Sequence, residues 1–352
     1  MQEGQHACVG KRPLLTIAIP TYNRAKCLRE LLPVVASQVQ HEPRIELMIS
    51  DNASTDETPA LVQEFIRRGL RVRYIRNPEN IGADANFLQC FEQAQGKYVW
   101  LFSDDDLIVP GGVAKILTCC EGADYDLISL SSYAFEDAHR PPPAGAGSDA
   151  IDISDPRAFA KRVHVFFTFI SGNIINKDTV LAAGPKPFSE LIGTSLVQLG
   201  WTYTALNRFK RGLYIREKLI AVRLNNTGGY KLFQVFGPIL AGITGTWLKS
   251  KNLGRIVMNG TVQRFWPPML LQYKKSARLF ADETKPQTVL SPLFKNNPRY
   301  WIFAFPVVVL PYFAAAGWVL VGRIINRLDK AAGYPTLAWG VDRDGIEPSA
   351  DV

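Results

Sequence analysis

The sequence predicts an α/β fold, a doubly wound and mostly parallel sheet, followed by a basic helical C-terminal region with a membrane-associating hydrophobic segment. Three observations predict it. Short apolar runs alternate with amphipathic stretches roughly every 25–30 residues over the first 135 positions. Polar and acidic residues recur where those runs end. Charge is spread unevenly: the 352-residue chain is +8 overall, yet residues 207–330 hold 20 basic and four acidic groups (Glu217, Asp282, Glu283, Asp329). The first 206 residues are net negative, so a catalytic unit followed by a surface for anionic partners is expected.

LLTIAIP (14–20) reads as a buried strand ending in proline. Residues 22–38 follow as a helix, with Leu28, Leu31, Leu32 and Val35 on one face. IELMISD (45–51) is the second strand. Residues 54–69 form the next helix, where Ser54 and Glu57 are spaced as a capping box and Gly69 is the stop. LRVRYIRN (70–77) is the third strand, and residues 81–96 a helix closed by Gly96. KYVWLFSD (97–104) is the fourth strand, 111–122 a helix, and YDLISLSSYAF (125–135) the fifth strand. Crossovers in such a sheet are right-handed, and ligands bind beyond the carboxyl ends of its strands. Thr21 and Asn23, Asp51 and Asn52, and Asp104 to Asp106 all fall at that edge.

A proline- and glycine-rich stretch (139–150) reads as a boundary or a mobile lid. Helical stretches at 156–168 and 196–208 flank a polar turn at 169–178. From Tyr300 to Gly322 there are 23 residues without a charge, enough to span a bilayer. Tyr300, Trp301, Tyr312 and Trp318 suit an interfacial belt. Pro306 and Pro311 break a straight helix, which argues for a kinked, re-entrant or interfacial element, with a buried core hairpin as the alternative. The chain therefore divides into a catalytic part (1–230), a basic helical, membrane-associating part (231–330) and a tail (331–352).

The five cysteines are odd in number and lack zinc-site spacing, which suits a reducing cytosol. The first residues have no apolar core of signal-peptide length. His164 lies in an apolar, aromatic stretch and reads as core.

Three successive aspartates, 104–106, repel one another and resist burial. A divalent cation, Mg²⁺ or Mn²⁺, relieves that crowding and bridges to substrate phosphates. An exposed acidic turn capping the next helix is the alternative.

Four motifs in order bear on the choice: TIAIPTYNRAKCLRELL, ISDNASTDET, NPENIGADANF and GKYVWLFSDDDLIVPGG. Together they closely resemble the family 2 glycosyltransferases, nucleotide-sugar-dependent enzymes of the GT-A fold, strongly over residues 14–135 and more weakly to about 230. Within that family the chain looks most like the O-antigen abequosyltransferase type. The resemblance implies that Thr21 and Tyr22 line the nucleotide pocket, and that Asp51 hydrogen-bonds the base, with Ser54 on the same loop. It implies that Asp84 faces the donor near the ribose or diphosphate; an ordinary helix-start aspartate is the alternative.

The family's metal motif is Asp-x-Asp. Ser103 stands at its usual first position, so the resemblance assigns metal binding to Asp105, with Asp104 supplying the missing carboxylate and Asp106 following. The implied reaction is inverting transfer, with a carboxylate general base. The family's Glu-Asp pair is missing from the second half, leaving Glu190 as the acidic candidate and a surface glutamate as the alternative reading of it. Ser171, Gly172 and Asn173 would shape the acceptor pocket. Thr227 to Tyr230 would close over the donor or serve as a linker turn. The implied partners are a nucleotide-sugar donor, a glycan or polyprenyl-diphosphate-linked acceptor and a membrane surface, but no nucleic acid. The implied location is the cytoplasmic face of the bacterial inner membrane. Two rivals remain: a nucleotidyltransferase, whose glycine-rich loop IPTYNRAKC lacks, and a non-catalytic sugar- or lipid-binding scaffold.

Overall fold

The computed structural model describes residues 12–135, 149–224, 229, 231–277 and 284–331. The proline-rich stretch at 139–148, the positions 227, 228 and 230, and the tail beyond 331 lie outside the described residues. The elements run β1 (Leu15–Thr21), α1 (Ala25–Val39), β2 (Ile45–Asp51), α2 (Thr58–Arg67), β3 (Arg73–Arg76), α3 (Ala83–Gln93), β4 (Tyr98–Leu101), β5 (Leu107–Ile108), α4 (Gly112–Gly122) and β6 (Leu127–Phe135). They continue with β7 (Ala150–Ile153), α5 (Pro156–Val163), β8 (Asn173–Asn176), α6 (Lys177–Leu181), α7 (Leu199–Asn207) and β9 (Gly212–Arg223). Helices α8 (Leu232–Gln234), α9 (Leu240–Trp247), α10 (Lys251–Gly260), α11 (Trp266–Lys275), α12 (Pro286–Leu293), α13 (Phe305–Val309) and α14 (Tyr312–Ala331) complete the chain.

The sheet order is β3-β2-β1-β4-β8-β6-β9-β5, with β7 also on β9. Every residue of β1 is buried, as a central strand covered on both faces requires. Strands β3, β2, β1 and β4 are parallel, as expected. The expectation of a mostly parallel sheet fails beyond them. β8 enters antiparallel to both β4 and β6, β9 runs parallel to β6, and β5 and β7 are antiparallel to β9, so the sheet is mixed. The reason lies in two asparagines that disguise β8 as a turn. Asn173 donates to the carbonyls of Phe166 and Phe169. Asn176 accepts from the first amides of α6 and donates to the Tyr125 carbonyl. Their polarity is spent on backbone, leaving Ile174 and Ile175 to pair inside the sheet.

The capping box at Ser54–Glu57 does not form. Asp56 accepts from the Thr58 amide at the start of α2, while Ser54 Oγ accepts from the Asn23 amide of the neighbouring loop. Gly96 is set by close approach: a Cβ there would lie 2.6 Å from the Thr16 amide nitrogen.

The described residues of 231–331 are mostly helical, joined by short turns, and one hydrophobic cluster ties them to one face of the sheet, from Ala18 and Met48 through Phe233 and Trp266 to Val319. Three irregular turns interrupt these helices: a kink at Gly237 (φ −97°, ψ −106°) within Val235–Ile239, and π-helical turns at Thr261–Phe265 and Tyr300–Ala304. Each contains or shortly precedes proline (Pro238; Pro267 and Pro268; Pro306), whose missing amide removes a regular i to i−4 bond and lets the turn widen. The uncharged 300–322 stretch breaks between α13 and α14 at Leu310–Pro311, and among the described residues no helix is long and apolar enough to cross a membrane. It is not a core hairpin either: Trp301, Ile302, Val309, Phe313, Leu320 and Val321 are exposed, Phe313 by 87%.

His164 is buried, with Nδ1 unpartnered and with its Cβ and ring against Gly260. Burial, reinforced by the Arg264 charge, pushes its pKa down to about 3. The folded value lies below the unfolded value of about 6.5, so the unfolded chain takes up the proton first. The stabilising contribution is complete above pH 6.5 and is lost as pH falls toward 3. We predict that the urea midpoint falls between pH 7 and pH 5 and that His164→Phe flattens this slope; equal slopes in the two proteins refute it.

Candidate active site at the carboxyl edge of the sheet

Strands β1, β2 and β4 end together at one edge, beside a cleft of about 790 Å³. Its polar half is lined by Thr21, Tyr22, Arg24, Asn52, Asn80 and Asp84, by Ser103 to Asp106, and by Arg223. Its other half is apolar.

The acidic triplet sits in the turn between β4 and β5. β5 pairs with β9, Leu107 opposite Ala221, so the turn is anchored at both ends. All three carboxylates are buried, which corrects the exposed-turn alternative. Each has its own partner. Asp104 Oδ2 accepts from Thr21 Oγ1 at 2.7 Å, linking the ends of β1 and β4. Asp105 Oδ1 accepts from Ser103 Oγ. Asp106 Oδ1 accepts from the Arg223 amide at 3.3 Å, and its Oδ2 is buried without a partner. Burial and the neighbouring Asp105 charge push the Asp104 carboxyl up to about 7 against the Thr21 hydrogen bond. The same two causes hold Asp106 well above the carboxylate range. Among the described residues no group of three His, Cys, Asp or Glu side chains is arranged to hold a metal ion. That does not exclude a cation of the Mg²⁺ kind, which needs one or two carboxylates with substrate phosphates and water as the remaining ligands. Asp104 and Asp106, whose proton affinity burial and the Asp105 charge raise, belong to the kind of donor set such a cation relieves.

Asp51 is fully buried, and both its oxygens are engaged by protein: Oδ1 by the Ser54 amide at 2.8 Å, Oδ2 by the Tyr74 hydroxyl at 2.5 Å. Burial and the Asp51 charge push the Tyr74 hydroxyl up. Neither Asp51 nor Ser54 lines the cleft; they tie the loop after β2 to β3 and to the loop after β1. Asn52, between them, does line it. Its Oδ1 accepts from Asn77 Nδ2 and the Ile81 amide, while its Nδ2 donates to Asn80 and to the Gly82 carbonyl.

Asp84 has a partner the sequence did not suggest. It is buried in the first turn of α3, and its Oδ2 accepts from the amides of Gly193 and Ser195, both at 2.8 Å. Those residues have φ of 89° and 61°, a left-handed turn that brings Gly193 and Ser195 onto the cleft. Burial raises the Asp84 carboxyl, and the backbone amides oppose that shift.

Two expectations are corrected. Glu190 is exposed in a short 3₁₀ turn (Phe188–Leu191) and does not line the cleft, because the turn buries Leu191 instead. Ser171, Gly172 and Asn173 sit behind the site. Ser171 Oγ accepts from the Ser103 amide, its carbonyl accepts from Trp100 Nε1, and Gly172 leaves room for the Phe169 ring. They brace the acidic turn, and it is Thr168 to Ile170 that reach the cleft.

Arg223 escaped the sequence reading. It ends β9, a 12-residue strand unmarked by any motif, and it joins Asp106, the Asp105 carbonyl, Glu30 and the Phe135 ring. A cation beside three aspartates is found only once β9 is known to pair with β5.

Residues 16–171 match the family model "Glycosyl transferase family 2". Abequosyltransferase RfbV of Salmonella typhimurium is 39% identical over 106 residues, 30% of this chain and 32% of its own. The GalNAc(5)-diNAcBac-PP-undecaprenol beta-1,3-glucosyltransferase of Campylobacter jejuni is 27% identical over 106 residues, covering 30% of this chain and 34% of that protein. The chain thus spans about a third of the length of the curated relatives it matches. In three dimensions it is similar to S. aureus TarS 1-349, solved in complex with UDP-GlcNAc, with a TM-score of 0.55, 14% identity and coverage of 92% and 93% of the two chains. The likeness at that identity is one of fold.

The Asp84 geometry gives a prediction. Asp84→Ala removes two charge-assisted hydrogen bonds, worth on the order of 1–3 kcal/mol. Amide exchange at Gly193 to Leu196 should accelerate at least tenfold, with Asp84→Asn intermediate. Unchanged exchange there would show that the loop holds itself.

Proposed function

We propose that this chain, whose residues 16–171 match the family 2 glycosyl transferase model, transfers a sugar from a nucleotide-sugar donor to a glycan or lipid-linked acceptor in cell-surface polysaccharide synthesis. The observation that carries the reading is the convergence of three strand ends, through the Thr21–Asp104 hydrogen bond, on one cleft lined by buried carboxylates. The relatives named above, one an abequosyltransferase and one acting on a PP-undecaprenol glycan, support the same class.

On this reading the donor's nucleoside lies by Thr21, Tyr22 and Asn52, on loops held in shape by Asp51 and Ser54. Asp105 and Asp104, with Asp106 beside them, hold a divalent cation, Mg²⁺ or Mn²⁺, which when bound supplies positive charge against the leaving diphosphate. Arg223 adds a fixed positive charge on the same side. The loop pinned by Asp84 faces the acceptor. The acceptor hydroxyl attacks the anomeric carbon, and its proton passes to a carboxylate of the cleft, since Asp84 and Asp104 to Asp106 are its acidic lining residues. Burial keeps water from competing for the sugar.

The region from 231 onward holds the acceptor's membrane. Trp301, Phe313, Trp318 and Leu320 are exposed, while residues 231–330 hold 14 basic and three acidic groups. That composition suits lying on an anionic bilayer, at the cytoplasmic face of a bacterial inner membrane.

Two outcomes test this. A panel of nucleotide-sugars should include one that the wild type turns over with added Mg²⁺ or Mn²⁺, and Asp105→Ala should lower that turnover by about 100-fold or more. Equal turnover in both removes the cation assignment, and no turnover of any donor favours a binding scaffold. The protein should also float with anionic vesicles at low salt, and Trp301→Ser with Phe313→Ser should release it. Flotation unaffected by the double substitution refutes the membrane face.

A further inference from the structure

One acidic residue of the cleft stands apart from the strand-end cluster. Asp84 lies in the first turn of α3, where an aspartate ordinarily caps its own helix, yet both of its hydrogen bonds leave the helix. They come from the amides of Gly193 and Ser195, and both end on Oδ2. Among the described residues Oδ1 has no hydrogen-bond partner, and it is not enclosed, since the residue lines the cleft. The loop that supplies the amides is bent for this contact. Gly193 and Ser195 have φ of 89° and 61°, which turns alternate amides toward one point. For Ser195 that conformation costs about 1–2 kcal/mol, and such strain persists only where the surroundings impose it.

A carboxylate tied at one oxygen and open at the other has the form of a general base. The two amides limit rotation of the carboxyl group, so the lone pairs of Oδ1 keep one direction. Burial raises the group's proton affinity against the opposing amides, which makes it a better proton acceptor than an exposed aspartate. The other acidic lining residues are engaged differently. Asp104 accepts from Thr21, Asp105 accepts from Ser103, and the unpartnered Oδ2 of Asp106 is enclosed. On the reading above those three face the cation, and a nearby positive charge lowers the basicity of a carboxylate. Their support also differs: the triplet follows β4, whereas Asp84 follows β3 at the head of α3.

We propose that Asp84 is the general base of the transfer and takes the proton of the attacking hydroxyl on Oδ1. The assignment rests on the glycosyltransferase reading and narrows it from four carboxylates to one. The acceptor oxygen donates a lone pair to the anomeric carbon. The bond from that carbon to the diphosphate oxygen breaks, and its electron pair leaves with the nucleoside diphosphate. The hydroxyl proton ends on Asp84 Oδ1. The Gly193 and Ser195 amides hold Oδ2 throughout, so the loop clamp and the base are one device.

The test uses the whole chain, Mn²⁺, the nucleotide-sugar that the turnover panel selects, and two nucleophiles, water and azide ion. Water must lose a proton to become a sugar hydroxyl, whereas azide has none to lose. Asp84→Asn keeps an oxygen for the two amides but cannot take the proton. It should lower kcat for donor hydrolysis by about 100-fold or more and leave the donor KM within about twofold. Asp84→Ala should hydrolyse the donor as poorly. Azide should raise its release of nucleoside diphosphate about tenfold or more, with a glycosyl azide of inverted configuration as the product by mass and proton NMR. The wild type should gain little from azide. Hydrolysis by Asp84→Asn at the wild-type rate overturns the assignment. So does an Asp84→Ala protein that azide leaves inactive, or one that azide returns to hydrolysis without forming glycosyl azide; either makes Asp84 a positioning residue that acts through residues 193–196. In those cases wild-type turnover of the donor still stands. A wild type that turns over no nucleotide-sugar removes the glycosyltransferase reading and its base together.

Discussion

Keeping three adjacent carboxylates out of water at one strand end is the constraint on which the other features of the site depend. Burial and mutual repulsion both favour protonation. Asp104 and Asp106 respond in that direction, even with Thr21, Ser171 and the Arg223 amide opposing it. The surrounding fold works to hold the cluster in place. Thr21 ties it to β1, Ser103 and Ser171 fix its backbone, and β5 on β9 closes the turn. A cluster held this way leaves one buried oxygen of Asp106 unpartnered, an acceptor unspent at the strand end.

The first hundred or so residues were legible because in a parallel sheet function and punctuation coincide. A buried strand must end in a loop, and at the carboxyl edge that loop is where ligands bind. The motifs around Thr21, Asn52 and Asp104 therefore mark both strand ends and cleft. What the sequence concealed was the sharing of labour among neighbours. Asp51 and Ser54 carry motif positions, yet their polar atoms hold loops together, and Asn52 between them lines the cleft. Asp84 looks like a helix-start aspartate and is also the clamp of a loop more than a hundred residues away. No local pattern encodes such a pairing, because nothing in the spacing of residues 84 and 193 distinguishes them.

The second half was less legible for a different physical reason. β8 is four residues with asparagine at each end, and those ends are satisfied by backbone: Asn173 by the Phe166 and Phe169 carbonyls, Asn176 by the distant Tyr125 carbonyl and the first amides of α6. The π turns arise from prolines, which in sequence read only as helix breaks. In this chain the helix is kinked at Gly237 beside Pro238 and widened before Pro267, and these two irregular turns present Phe236 and Phe265 to the cleft. Glu190 failed for the complementary reason. An acidic residue in the right stretch of sequence is no guide to which side of a 3₁₀ turn it occupies, and here the turn buries Leu191 instead.

A cleft that is acidic at one end and hydrocarbon at the other poses a question of order. The polar end is made by residues that precede β5, together with Arg223, and the apolar end by helices that share a core with the sheet. Neither end can be rebuilt without the other, since the cluster that holds Phe236 and Phe265 also holds Met48, Leu88 and Leu101 beneath the strand ends. The helical region is thus part of the cleft's wall and not an appendage to it. A change that loosens its packing, such as truncating Trp266 or Phe233, acts on the cleft through the shared core, since among the described residues that face of the sheet packs on the same cluster.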